Sequence, residues 1–158
     1  TKNMDRLEWF VEKAAEIGID EISPLYCRYS ERKNLKTERL QRILVSAMKQ
    51  SIQPTLTVLN EPTTFKEWIK QVEADQKFIA HCHDDEKQFL ASAIQPGKKV
   101  LVMIGPEGDF SEEEVELAKK AGFTPVSLGE SRLRVETAAL VACQTVSLMN
   151  DLALRTTL

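Results

Sequence analysis

Two short constellations hold the residues whose types and spacing could do chemistry. The first, Gly105-Pro106-Glu107-Gly108-Asp109-Phe110-Ser111, follows the aliphatic run Val100–Ile104 and leads into a helix-forming stretch. Gly105 and Gly108 permit close backbone approach, Pro106 stiffens the turn, and ligands favour strand ends of this kind. A phosphate loop is rejected, because no Gly-Lys-Ser/Thr ending is present and Glu112, Glu113 and Glu114 would repel a phosphate at the helix start. A cationic sulfonium ligand tolerates such acidity, although the carboxylates equally complement the helix dipole. By spacing alone the loop serves as well as a structural turn.

The second constellation, Leu128-Gly-Glu-Ser-Arg-Leu-Arg-Val-Glu-Thr-Ala138, loads a loop with charge just before an apolar helix. Arg132 and Arg134 can hold a phosphate or a base carbonyl, and Glu136 can orient an arginine or cap the helix. An Arg–Glu pair that merely fixes the loop is the bland alternative. Two such loops after neighbouring strands favour a pocket. His81, Cys82 and His83 match no common zinc spacing, with Asp84 and Asp85 close by, so no metal is assigned. Cys82 as a nucleophile has still less support, since no histidine–acid spacing specifies a hydrolase triad.

The elements that must position these loops follow from periodicity. Leu7, Phe10, Val11, Ala14 and Ile17 form the stripe of an amphipathic helix over residues 3–17, stopped at Gly18. Residues 21–29 read as a strand. Leu40, Ile43, Leu44, Ala47 and Met48 mark a helix from near Thr37 to Pro54. Strands are expected over 55–59 and 77–83, with a short helix over 65–72 between them. The run Val100–Ile104 predicts a central strand covered on both faces. Ser111 and Glu114 predict a capping box opening a helix that ends at Gly122, followed by a strand over 124–128. The last helix begins near Glu136, and residues 138–148 are small or apolar on nearly every face, which asks for burial against the sheet and against a partner subunit. The alternation predicts one α/β domain over residues 1–158, a mainly parallel sheet with helices on both faces.

Composition bounds the rest. The chain has 158 residues, 42% of them hydrophobic, and a net charge of −3, which argues against an unaided grip on RNA by phosphate contacts. Its basic residues cluster locally, from Arg28 through Arg32, Lys33, Lys36, Arg39 and Arg42 to Lys49, and Glu31 and Glu38 leave open a merely solvated face. The longest unbroken aliphatic run falls far below the roughly 20 apolar residues of a membrane span, and three scattered cysteines suggest neither a disulfide framework nor a paired metal site. A cytoplasmic setting without membrane contact is expected.

Taken together, Gly105-Pro-Glu-Gly-Asp-Phe-Ser and Leu128-Gly-Glu-Ser-Arg-Leu-Arg-Val-Glu-Thr-Ala resemble the signature motifs of the bacterial 16S ribosomal RNA uracil-N3 methyltransferases of the SPOUT superfamily. The likeness extends to Lys13-Ala-Ala-Glu-Ile-Gly-Ile and Met48-Lys-Gln-Ser, and so to essentially the whole chain. It implies a fold whose C-terminal segment is threaded as a trefoil knot, a homodimer, and 16S rRNA or the small ribosomal subunit as partner. It implies a preceding β-barrel RNA-recognition domain, absent here, so the start at Thr1 reads as an excised domain. It further implies S-adenosyl-L-methionine as cofactor, held by Ile79, Ala80 and His81, by Ile104, Gly105, Pro106, Glu107 and Gly108, by Leu128 and Gly129, and by Leu133, Arg134, Thr137 and Ala138.

In the implied transfer of a methyl group to uracil N3, Arg134 stabilises charge on a carbonyl oxygen, while Glu136 orients it or accepts the imide proton. Lys49, Gln50, Ser51 and Arg132 are expected on the RNA-facing rim. Three departures stand out. Asp109 replaces a second glycine, Ser131 an arginine, and Gln53 an arginine after Gln-Ser. Gln53 bears on one RNA contact, while Asp109 and Ser131 admit a rival reading, a degenerate domain that only dimerises or binds RNA, and cofactor binding separates the two. A module binding another metabolite in the same crevice is a third reading.

Overall fold

In the computed structural model, which describes residues 1–83 and 86–156, helix α1 spans Met4–Ile17 and ends on Gly18 in the left-handed conformation (φ 92°). Strands β1 (Glu21–Ile22) and β2 (Leu25–Tyr26) are two residues each, separated by Ser23 and Pro24, so the expected strand over 21–29 is broken. Proline lacks the amide a continuous ladder needs. Helix α2 covers Thr37–Ser51. Strands β3 (Val58–Leu59) and β4 (Thr63–Thr64) pair in parallel with β1 and β2 respectively. The first α-helical pair has its own core of Val11, Ala15, Leu40, Leu44 and Ala47.

The site-bearing half follows. Helix α3 (Phe65–Trp68) precedes β5 (Gln76–Ala80), then come β6 (Gln88–Phe89), α4 (Leu90–Ala93), β7 (Val100–Ile104), α5 (Glu112–Lys120), β8 (Thr124–Ser127) and α6 (Val135–Thr156). The four strands form one parallel sheet in the order β6-β8-β5-β7. The expected α/β architecture with a parallel sheet is therefore present.

The central position expected for β7 is not. Among the described residues it pairs only with β5 and forms an edge of the sheet, while β5 and β8 lie inside. Its unbroken apolar run has a different cause: Leu101 and Met103 enter the core beneath α5 with Phe110, Val115 and Ala118, whereas Val100, Val102 and Ile104 enter the opposite core with Phe78, Leu90, Val126 and Ala142. An aliphatic run reports coverage of both faces, not a central place in the strand order.

Helix α5 opens on the expected capping box, with Ser111 accepting from the Glu114 amide and the Glu114 carboxylate accepting from the Ser111 amide at 2.9 Å. Helix α6, 22 residues, is by length and composition apolar enough to cross a bilayer. One stripe of it, through Ala142, Val146 and Met149, lies on the sheet core instead. Leu148, Leu152 and Leu154 remain exposed on it, Leu154 to 70%.

Candidate functional site

Strand register decides what converges. Ala80 at the end of β5 is opposite Ile104 of β7 on one side and Val126 of β8 on the other. Adjacent strands lie about 4.8 Å apart, so three chain segments leave the sheet at one level and on one edge. These are the residues after Ala80, the loop 105–111 and the loop 128–134. Ile79, Ala80, His81, Ile104, Gly105, Pro106, Glu107, Gly108, Leu128 and Gly129 thus gather at the carboxyl ends of neighbouring parallel strands, the usual ligand crevice of such sheets.

The first loop is tightly built. Gly105 is buried, and a Cβ there would stand 2.9 Å from Asp109 Oδ1 and 3.2 Å from the Phe110 amide nitrogen. Asp109 adopts φ 64°, the left-handed region where glycine would be easiest and Asp is among the better-tolerated side chains. Its Oδ1 accepts the Phe110 amide at 2.8 Å and its Oδ2 accepts the Cys82 amide at 2.6 Å. The substitution of aspartate for the second glycine therefore leaves the turn intact and ties it to the segment after β5. His83 Nε2 lies 2.6 Å from the Phe110 carbonyl oxygen, a second tie between the same segments. Lys87 completes the arrangement by donating to the His81 and His83 carbonyls at 2.9 and 2.6 Å.

The strand expected to reach His83 stops at Ala80, because the 81–83 backbone bonds to these side chains rather than to a neighbouring strand. The histidines are thus not on one strand face, although their ring centroids are 5.4 Å apart. Asp84 and Asp85 lie outside the described residues. Of the thiols, Cys27 is pushed up to about 12 by burial, with the Glu114 charge adding to it, and Cys143 to about 11 by burial. Neither supplies a thiolate near neutral pH.

Helix α1 is the element that joins the two loops. The Lys2 amide just before it donates to Glu107 Oε1 at 2.7 Å, and Arg6 Nε in its first turn lies 3.5 Å from Glu136 Oε1 at the start of α6. Burial would raise the Glu107 pKa, but hydrogen bonds from the Lys2 amide and the Thr1 hydroxyl hold that carboxyl below its ordinary value. Glu136 is buried. Its ion-pair partner is Arg6, so the expected pairing with Arg134 is replaced by one from α1, which packs against α6. Sequence reasoning missed Arg6 because α1 reads only as an amphipathic helix, and no local spacing links it to Glu136.

The second loop is open by comparison. Gly129 (φ 136°), Arg132 and Arg134 are exposed, Leu133, Thr137 and Ala138 half-buried, and a Cβ on Gly129 would meet nothing within 4 Å. The Ser127 hydroxyl donates to the Gly129 carbonyl at 3.0 Å and accepts from its amide at 3.2 Å. Lys49, Gln50 and Ser51 are not brought to this crevice within the chain. They end α2, and Gln53, two residues beyond it, donates from Nε2 to the Glu16 carbonyl at 2.9 Å, at the far end of α1. From Arg6 to Glu16 the helix rises about 15 Å. The Ser51 hydroxyl is turned back on its own helix, donating to the Ala47 carbonyl at 2.7 Å.

The chain is similar to known proteins in sequence and in fold. A probable rRNA-methyltransferase from Porphyromonas gingivalis, known from its crystal structure, is 44% identical, with a TM-score of 0.91 over 97% of this chain and 66% of its own. Ribosomal RNA small subunit methyltransferase E of Rickettsia conorii is 29% identical over 152 residues, 93% of this chain and 61% of the relative. The protein of that name from Neisseria gonorrhoeae, solved bound to S-adenosyl methionine, is 27% identical with a TM-score of 0.77, covering 89% of this chain and 60% of its own. The chain spans about six tenths of the length of the curated relatives it matches. Residues 1–147 match the RNA methyltransferase domain family, and the chain, with its parallel strands ending side by side, belongs to that family.

Proposed function

We propose that this chain is the catalytic domain of an S-adenosylmethionine-dependent methyltransferase acting on N3 of a uracil in 16S ribosomal RNA. The observation that carries the reading is the convergence of the 80–83, 105–111 and 128–138 segments at one sheet edge, tied together by Asp109 and by α1. The donor set fits the cofactor. Backbone amides and carbonyls at parallel strand ends suit an adenosine and an amino-acid moiety, and the acidic first turn of α5, Glu112 to Glu114, suits a sulfonium better than a phosphate.

When bound there, the cofactor supplies an electrophilic methyl group. Ile79 to His81, Ile104 to Gly108, Leu128, Gly129, Leu133, Thr137 and Ala138 would hold it. The chain's own task is then alignment and charge management. Arg134, exposed beside the crevice, donates to the uracil carbonyl on which negative charge grows as the imide proton leaves. Glu136, held by Arg6, is the acceptor for that proton in this reading. Arg132 stands on the RNA-facing rim, with Lys49, Gln50 and Ser51 reaching RNA from the far end of α1.

A homodimer belongs to the same proposal. The exposed leucines of α6 and Trp9 on the adjoining α1 form apolar surface that a second copy would cover. The trefoil threading also belongs to it, supported by β8 lying between β5 and β6, as does a cytoplasmic location shared with ribosomes. Asp109 weighs against the degenerate reading, since its φ and both oxygens are accommodated.

Calorimetry and thermal unfolding with S-adenosylhomocysteine test the pocket. Ligand at about 100 times its dissociation constant adds about 2.7 kcal/mol of stability, and no saturable shift at millimolar ligand would sink the proposal. Arg134→Ala is expected to slow single-turnover methylation of 16S rRNA by about 100-fold or more at saturating cofactor. Undiminished turnover removes Arg134 from its role.

A further inference from the structure

The turn between β2 and α2 contains a side chain that the cofactor loops do not use. Tyr29 rests on Gly108, and a Cβ added to Gly108 would lie 2.8 Å from Tyr29 Cβ. The tyrosine is therefore directly against the first cofactor loop, yet it is 48% exposed. A large aromatic ring left half in water beside a crevice is the less common outcome for a packing residue. The Arg28 guanidinium lies 6.0 Å from its ring centroid.

The turn that presents it is rigid. The Ser30 hydroxyl accepts from the Cys27 amide at 2.9 Å, and the Ser30 amide donates to the Cys27 carbonyl at 3.1 Å. The Arg28 amide donates to Glu114 Oε1 at 2.8 Å, which fastens the turn to the buried capping carboxylate of α5. Beyond it a surface depression is lined by Lys2, Glu31, Arg32, Lys33 and Asn34, where Lys2 pairs with Glu31 at 3.2 Å, Arg32 donates to the Lys2 carbonyl and Lys33 is exposed, which leaves the lining net positive. Single-stranded RNA is recognised by this combination, an aromatic face on which a base stacks and a cationic track for its phosphates.

We propose that Tyr29 is a stacking platform for a base of the substrate RNA at the mouth of the cofactor crevice, with Arg32 and Lys33 taking the adjoining phosphates. The proposal rests on the RNA-methylating reading above and adds a base-stacking contact to it. It puts the RNA entrance on the Cys27–Lys33 side of Gly108. Alanine at position 29 keeps the Cβ that lies against Gly108 and removes the ring, so the substitution should change RNA affinity and leave cofactor affinity alone.

The test uses the full-length protein, S-adenosylhomocysteine calorimetry, and binding and methylation of small ribosomal subunits or 16S rRNA, with a single-stranded oligouridylate as a minimal probe. Base–aromatic stacking is typically worth about 5- to 150-fold in affinity. Tyr29→Ala is expected to raise the KM for RNA about tenfold, with kcat at saturating RNA, the S-adenosylhomocysteine Kd and the Tm near wild type. Tyr29→Phe restores the affinity and Tyr29→Leu does not, which separates stacking from apolar burial. An unchanged RNA KM in Tyr29→Ala overturns the platform, as does equal loss in the phenylalanine variant. A parallel loss of cofactor affinity without RNA assigns Tyr29 to bracing the Gly108 loop instead. A wild-type protein that binds neither cofactor nor RNA overturns the underlying reading, an outcome distinct from all of these.

Discussion

The two loops that flank the crevice are built in opposite ways. The loop 105–111 is closed on itself and on its neighbours: Gly105 and Phe110 are buried, Asp109 holds two amides, and Glu107 is held by the Lys2 amide just before α1. The loop 128–134 exposes Gly129, Glu130, Ser131, Arg132 and Arg134, and its internal bonds reduce to the Ser127–Gly129 exchange. Both ends of the comparison have a physical meaning. A packed wall is paid for during folding and costs little more when ligand arrives, whereas ordering an exposed arginine costs about 1–2 kcal/mol at the moment of binding. The first loop therefore sets whether the pocket exists, and the second sets how tightly and productively a substrate is gripped.

Substitutions in the two loops test that contrast. Gly105→Val should have the largest effect, because its side chain must enter space held by Asp109 and Phe110. Overpacking of this kind costs about 3 kcal/mol, a Tm fall of about 6–12 °C, with S-adenosylhomocysteine binding lost. An unshifted Tm would show that the wall is not packed as described. Asp109→Ala should cost about 2 kcal/mol, since it removes the acceptor for the Cys82 and Phe110 amides, and chemical denaturation measures it. Asp109→Gly should cost less than alanine, because glycine relieves the φ of 64° while losing the same bonds. If glycine proves worse, the bonds are not what holds the turn.

On the open side the expected effects are smaller and of another origin. Gly129→Ala meets no atom within 4 Å, so its cost is conformational alone, about 1 kcal/mol for φ 136°. A loss as large as that of Gly105→Val would mean the second loop is packed after all. Arg6→Ala should be no larger, about 1 kcal/mol, because water screens the pair on the half-exposed arginine's side while the buried Glu136 carboxylate keeps the loss from vanishing. Added salt should shrink the difference between wild type and variant, and insensitivity to salt would remove the ion pair from the account.

Much of the closed loop was legible in the sequence, and little of what secures it was. Gly105, Gly108 and the Ser111–Glu114 capping box are local signals, and they mark a turn into a helix wherever they occur. The same holds for the apolar run of β7, whose two covered faces were predictable while its edge position was not. Strand order is set by crossovers, which no periodicity encodes. Strands β1 to β4 and β6 are two residues long, too short to show alternation, so β4, β6 and α4 escaped notice and the longer strands expected over 21–29 and 55–59 shrank to bridges. Arg6 with Glu136, Lys2 with Glu107 and Tyr29 on Gly108 join residues remote in the chain. Such pairs become visible only when the fold is known.

The strand order also fixes when the site can come into being during synthesis. Strands β5 and β6 are successive in sequence but do not pair, and the slot between them is filled by β8. A chain emerging from the ribosome can zip β5 to β7 once residue 104 is out, yet β6 must wait without a partner until residue 127 follows. Parallel pairings between distant segments form slowly because a long loop must close first. Two of the three crevice-forming segments would thus be in place early and exposed, with the last, carrying Arg132 and Arg134, arriving at the end. Any truncation before β8 removes not an edge of the sheet but its middle.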